Sequence, residues 1–220
     1  MFDTVIFDYG NTLCEMGDLA ESLENISGSE YAKEIGALIE LSIQDLYIPE
    51  QVEQPNWIEV WQNAFTHYAV DFDVSIGCQH LRQFVQSGQL YHYSIPLLEQ
   101  LHNQGTELIL LSNVTGDTDI FQNDLRNRGL DKYFHQVIWS SDIGYRKPSK
   151  KAFEIAVDLA KNSPSKIIMV GDSEVADIQG AKQVGLRSMR VSDYSGVESS
   201  ADYVVTRDSI MTQLIHLTSR

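Results

Sequence analysis

The stretch KIIMVGDSEVADIQGAK, residues 166–182, decides the fold. Its nearly continuous apolar run before Gly171 fits a strand buried on both faces, as in a parallel sheet covered by helices. The strand runs into Gly171-Asp172, and Ser173 is suited to cap a helix starting there. Asp172 stands at the strand's end. Asp177, five residues on, falls about one turn into the helix, so both carboxylates can approach one point. Hard oxygen donors at a strand end suit Mg²⁺, which uses few protein carboxylates and keeps several waters.

Working outward, the alternation of apolar strand and amphipathic helix is regular after about residue 93, which predicts an α/β fold with a doubly wound parallel sheet. Candidate strands are Thr4 to Phe7, Glu107 to Leu111, Gln136 to Trp139, Lys166 to Val170 and Ser188 to Val191, all read as buried, with an edge strand at Tyr203 to Val205. Pro96, Gly105, Gly129 and Gly185 punctuate the helices between them. The preceding region differs: EYAKEIGALIELSIQDL and NWIEVWQNAFTHY are helical patterns with no convincing strand among them. The expected organisation is a Rossmann-like core, residues 1–15 and 93–220, with a smaller α-helical cap, residues 16–92, above the carboxyl ends of the strands, where α/β folds bind ligands. Trp57, Trp61, Phe65 and Tyr68 recur at helical spacing and read as packing inside that cap rather than as a stacking platform.

Three further signals fall at strand ends. TVIFDYGNTL, residues 4–13, ends an apolar strand in Asp8 and continues into a turn with Gly10 and Asn11; Asp8 can reach a ligand or merely cap the turn. ELILLSN, residues 107–113, ends in Ser112 and Asn113, which can hold a phosphoryl oxygen or cap a helix. In GYRKPSKKAFEIA, residues 144–156, Pro148 keeps Lys147 out of the helix that starts near Ser149, so the lysine can project inward or remain a solvated surface charge.

Together, in chain order, these four segments resemble the motifs of the haloacid dehalogenase superfamily. The similarity covers residues 3–14 and 93–192. It implies a Mg²⁺-dependent hydrolase of small phosphomonoesters in which Asp8 attacks phosphorus to form an aspartyl-phosphate. It implies that Asp8, the carbonyl of Gly10 and Asp172 hold Mg²⁺. Ser112 and Asn113 would then bind the phosphoryl group, Lys147 would offset negative charge, and Asp177 would support Lys147 or a metal-bound water.

One position departs from that pattern. Many phosphatases of the superfamily carry an acid/base Asp two residues after the nucleophile, and here Gly10 stands there. A substrate with a good leaving group, an acid from the cap or Glu15, or loss of turnover would each account for it. A haloacid dehalogenase and a phosphate-binding protein without turnover are the competing functions. A phosphonate-cleaving branch would use a cap lysine, and nothing singles out Lys33. A net charge of −15 and the lack of a Lys/Arg run exclude a nucleic-acid partner. No stretch approaches the roughly 18 apolar residues of a membrane span. The start MFDTVIFDYG lacks a signal peptide's basic region, and Cys14 and Cys78 form no metal or disulfide pattern. A cytosolic protein acting on a small phosphorylated metabolite is expected.

Overall fold

A computed structural model describes residues 1–219. Its strands are β1 (Thr4–Phe7), β2 (Cys14–Glu15), β3 (Gln89–Leu90), β4 (Glu107–Ser112), β5 (Gln136–Trp139), β6 (Ile167–Gly171), β7 (Arg187–Ser192) and β8 (Tyr203–Thr206). Six of them form one sheet in the order β5-β4-β1-β6-β7-β8, every pair parallel. From central β1 the chain adds β4 and β5 on one side, then crosses to add β6, β7 and β8 on the other. That reversal opens a crevice at the carboxyl ends of β1, β4 and β6, as expected of a doubly wound sheet.

Burial follows this order. β1, β4 and β6 are buried along their whole length, which is why their sequences are nearly continuous apolar runs. β8 is an edge strand, as its sequence suggests. β5 is the other edge, and its Gln136 is exposed, contrary to the fully buried strand expected there.

Between β2 and β3 lie α1 (Leu19–Glu24), α2 (Ala32–Gln44), α3 (Trp57–His67) and α4 (Val74–Ser87). Side chains of Asp18, Asn56 and Asp73 cap α1, α3 and α4 by accepting from backbone N–H groups. The region is helical, as read, except at its margin: β2 and β3 pair antiparallel, so the outgoing and returning chain form a short ribbon. Trp61 and Phe65 are buried, Trp57 meets Trp61 edge-on, and Tyr68 stacks on Tyr31, so the aromatic series packs.

The sheet is flanked by α5 (Ser94–Asn103), α6 (Thr118–Asn127), the single turn α7 (Ser140–Ile143), α8 (Lys150–Leu159), the short α9 (Gly180–Gln183) and α10 (Ile210–Thr218). One hydrophobic cluster runs continuously from Val5 and Phe7 on one sheet face through Leu19, Ile35 and Trp61 of the helical region; a second, with Phe153 and Met169, fills the other face. Among the described residues no helix is long and apolar enough to cross a membrane.

Candidate active site

Asp8 follows β1 directly, at the carboxyl edge of the central strand, its N–H donating to Val170 O at 2.9 Å. Asn11 takes a left-handed backbone (φ 56°), which Asn tolerates better than most residues. The turn brings Thr12 Oγ1 back to donate to Asp8 Oδ2 at 3.3 Å. The Tyr93 hydroxyl donates to Thr12 O, and Ser94 Oγ to Leu13 O at 2.6 Å, tying this turn to the start of α5.

From the end of β4, Ser112 Oγ donates to Asp8 Oδ1 at 3.2 Å. Lys147 Nζ lies 2.6 Å from Asp8 Oδ1 and 2.6 Å from Asp177 Oδ1, and is buried. The side-chain amide of Asn113 donates to Lys147 O at 2.9 Å and accepts from Lys147 N at 2.8 Å, fixing the backbone that aims the lysine inward. Beyond β6, Ser173 Oγ accepts from Ala176 N at 3.1 Å, the cap its sequence suggests, on a π-helical turn, Glu174–Gln179. That turn delivers Asp177, whose Oδ2 accepts from Ser173 N at 3.0 Å. Carboxylate oxygens of Asp8, Asp172 and Asp177 lie within 4.8 Å of one another.

Three carboxylates around one ammonium leave the cluster short of positive charge. Burial, reinforced by the charges of Asp8 and Asp177, pushes Asp172 up to about 7. Burial also pushes Asp177 up, although Lys147 pulls the other way. For Lys147, burial would favour the neutral amine, but Asp177 and Asp8 outweigh it and hold the group above the usual lysine range. A hard divalent cation fits this donor set in both chemistry and charge.

Asp8, Gly10, Ser112, Asn113, Lys147, Asp172 and Asp177 line one cavity of about 550 Å³. Its facing wall includes Met16, Leu19, Ile43, Tyr47, Trp61 and Phe84. Glu15, considered as an acid from sequence, is exposed on β2 and takes no part in lining the cavity. Cys14 is buried and its thiol pKa pushed up, chiefly by burial, so it is no nucleophile. Lys33 is an exposed partner of Glu24 at 3.9 Å. Sequence reasoning missed Thr12 and the wall residue Tyr47. Thr12 lies inside the turn that follows Asp8 and was open to notice; Tyr47 carries no local signal.

A parallel α/β protein with a carboxylate cluster beside the switch point of its sheet is the class that fold and site define. The chain belongs to the haloacid dehalogenase-like hydrolase family, whose model matches residues 2–185. It is similar to the pyrimidine 5'-nucleotidase PynA of Streptococcus pneumoniae, at 26% identity over 196 residues, 83% of this chain and 80% of that protein. Among solved structures it resembles the HAD-hydrolase YfnB of Bacillus subtilis, solved bound to magnesium, with a TM-score of 0.72, 20% identity, and coverage of 100% and 99% of the two chains. The L-2-haloacid dehalogenase of Xanthobacter autotrophicus superposes with a TM-score of 0.73 at 18% identity, over 97% of this chain and 98% of that one. These last two are likenesses of fold.

Proposed function

We propose that this chain is a Mg²⁺-dependent hydrolase of small phosphomonoesters that works in the cytosol through an aspartyl-phosphate on Asp8. The observation that carries the reading is the contact of Asp8 Oδ1 with both Lys147 Nζ (2.6 Å) and Ser112 Oγ (3.2 Å) on the floor of the cavity. A carboxylate so placed is a nucleophile with its charge-stabilising groups already beside it. The similarity to a nucleotidase supports phosphorus as the atom attacked. Attack at carbon, as in dehalogenation, needs no cation, whereas this cluster lacks one positive charge or more.

Asp8 attacks phosphorus and the ester oxygen departs. Ser112 donates to a phosphoryl oxygen, and Lys147 offsets the charge shared by Asp8 and the phosphate. Asn113 contributes by holding the Lys147 backbone, and Asp177 by holding its ammonium. Water then attacks the phosphorus of the acyl phosphate and frees Asp8. Asp8, Asp172 and the Gly10 carbonyl would hold Mg²⁺, which supplies charge neutralisation between carboxylate and phosphate. Residues 16–92 act as a cap over a core of 1–15 and 93–220; the cavity wall formed by Tyr47, Trp61 and Phe84 supports this. Two free thiols support the cytosolic setting.

The test is phosphate release from a panel of small phosphomonoesters, in Mg²⁺ and in EDTA, with wild type and Asp8→Asn. Release that requires Mg²⁺ and disappears in Asp8→Asn is expected. Mg²⁺ binding without release from any ester would replace the enzyme with a phosphate-binding protein.

A further inference from the structure

An alkyl phosphate cannot release its alcohol readily without a proton for the departing oxygen, and on the floor of the cavity Asp172, the carboxyl that burial raises most, is taken as a Mg²⁺ ligand in the reading above and has none to give. Lys147 is clamped between Asp8 and Asp177, and Ser112 and Thr12 both donate to Asp8. Tyr9 turns its hydroxyl away to Asp124 at 3.3 Å. Glu174 is engaged by Arg190, Ser199 and Ser200. On the facing wall stand Glu40 and Tyr47.

Tyr47 is set apart by what lies against it. Arg146, next to Lys147 in the chain, is completely buried, a rare state for arginine without a carboxylate. No ion pair satisfies it among the described residues: Nη1 donates to Thr115 Oγ1 at 3.0 Å and Gln54 Oε1 at 3.3 Å, while Nε and Nη2 make no hydrogen bond. Its guanidinium carbon lies 5.2 Å from the centre of the Tyr47 ring. The contact is built in by backbone pairing, with Arg146 N donating to Val52 O at 2.9 Å and Gln54 N to Gly144 O at 3.0 Å. Tyr47 thus lines the cavity with its residue surface 46% exposed and its hydroxyl end buried. Burial of its hydroxyl raises its pKa and Arg146 opposes the rise, so the group is a proton donor at rest with a cation waiting for its anion.

We propose that Tyr47 is the acid–base residue of this site, with Arg146 as the buried cation that stabilises its phenolate. The inference rests on the phosphomonoesterase reading above. In the first step an Asp8 oxygen bonds to phosphorus, the bond from phosphorus to the ester oxygen breaks, and the Tyr47 proton passes to that oxygen. Alcohol and phenolate result. In the second the phenolate takes a proton from water as the water oxygen bonds to phosphorus and Asp8 departs as carboxylate. Phosphate is released and Tyr47 regains its proton, so the role left open by Gly10 is filled from the facing wall.

Tyr47→Phe removes one oxygen from a half-exposed ring and leaves the fold intact. Benzyl phosphate and para-nitrophenyl phosphate are of similar size, but only the benzyl ester needs its leaving oxygen protonated. The rate on the nitrophenyl ester divided by that on the benzyl ester is expected to rise by about 10²- to 10⁴-fold in Tyr47→Phe, the usual share of general acid catalysis. An unchanged ratio, whatever happens to the absolute rates, would overturn Tyr47 while leaving the phosphatase reading intact. Wild type that releases phosphate from neither ester would overturn that reading and Tyr47 with it.

Discussion

Gly171 has no room for a β-carbon: one placed there would lie 2.2 Å from Asp177 Oδ2 and 2.3 Å from its Cγ. Asp177 cannot retreat, because Oδ1 is on Lys147 and Oδ2 on the Ser173 N–H. Gly171→Ala is therefore expected to dislodge the carboxylate that anchors Lys147, costing about 1–3 kcal/mol of stability and a larger share of phosphate release. Urea denaturation beside the phosphate assay measures both, and an alanine variant with both intact would mean that Asp177 does not position the lysine. The floor of the site was legible in sequence because each of Asp8, Ser112 and Asp172 follows or ends an apolar run, so its position is a local property. Tyr47 and Arg146 were not. Their meeting depends on pairing between segments far apart in the chain, and an arginine beside a lysine reads as surface until the fold buries it.

At the scale of elements, His80 on α4 joins three helices. Its Nδ1 accepts from Trp61 Nε1 of α3 at 3.1 Å, and its Nε2 lies 2.7 Å from Leu19 O of α1. An indole N–H only donates, so the ring is the neutral tautomer with its proton on Nε2. Burial lowers the pKa of His80 from 6.5 to about 4. The unfolded chain takes up this proton as pH falls through 6.5, whereas the folded one waits until about 4. Stability is thus untouched by this group above the first value and is lost progressively between the two, by about 3 kcal/mol in full. Denaturation at about pH 7 and about pH 4.5 should show a greater acid loss for wild type than for His80→Gln; equal losses would mean that His80 protonates freely in the folded state. The elements themselves were largely readable, since long apolar runs and helical periodicity are local. The ribbon was not, because two-residue strands have no period to detect, and the edge position of β5 is a fact of sheet order rather than of its own residues.

For the whole molecule, a charge of −15 is compounded at the site by three carboxylates around one lysine. A cation that binds there only in the folded state must stabilise the fold, by about 2.7 kcal/mol at a hundredfold excess over its Kd. Thermal denaturation in Mg²⁺ should exceed that in Na⁺ of equal ionic strength, and Asp172→Asn should erase the difference. Identical melting of wild type in both salts would remove Mg²⁺ from the reading. Traced as a circuit, the chain leaves at β2 and comes home at β3, the strand hydrogen-bonded beside it, so the residues between them form a detour with its two ends about 4.8 Å apart. Closing a flexible loop costs only about 0.6 kcal/mol more for each doubling of its length. The helical wall of the cavity is thus free to be stretched, trimmed or replaced while the carboxylate floor keeps its place: one floor, re-tailored along a single seam.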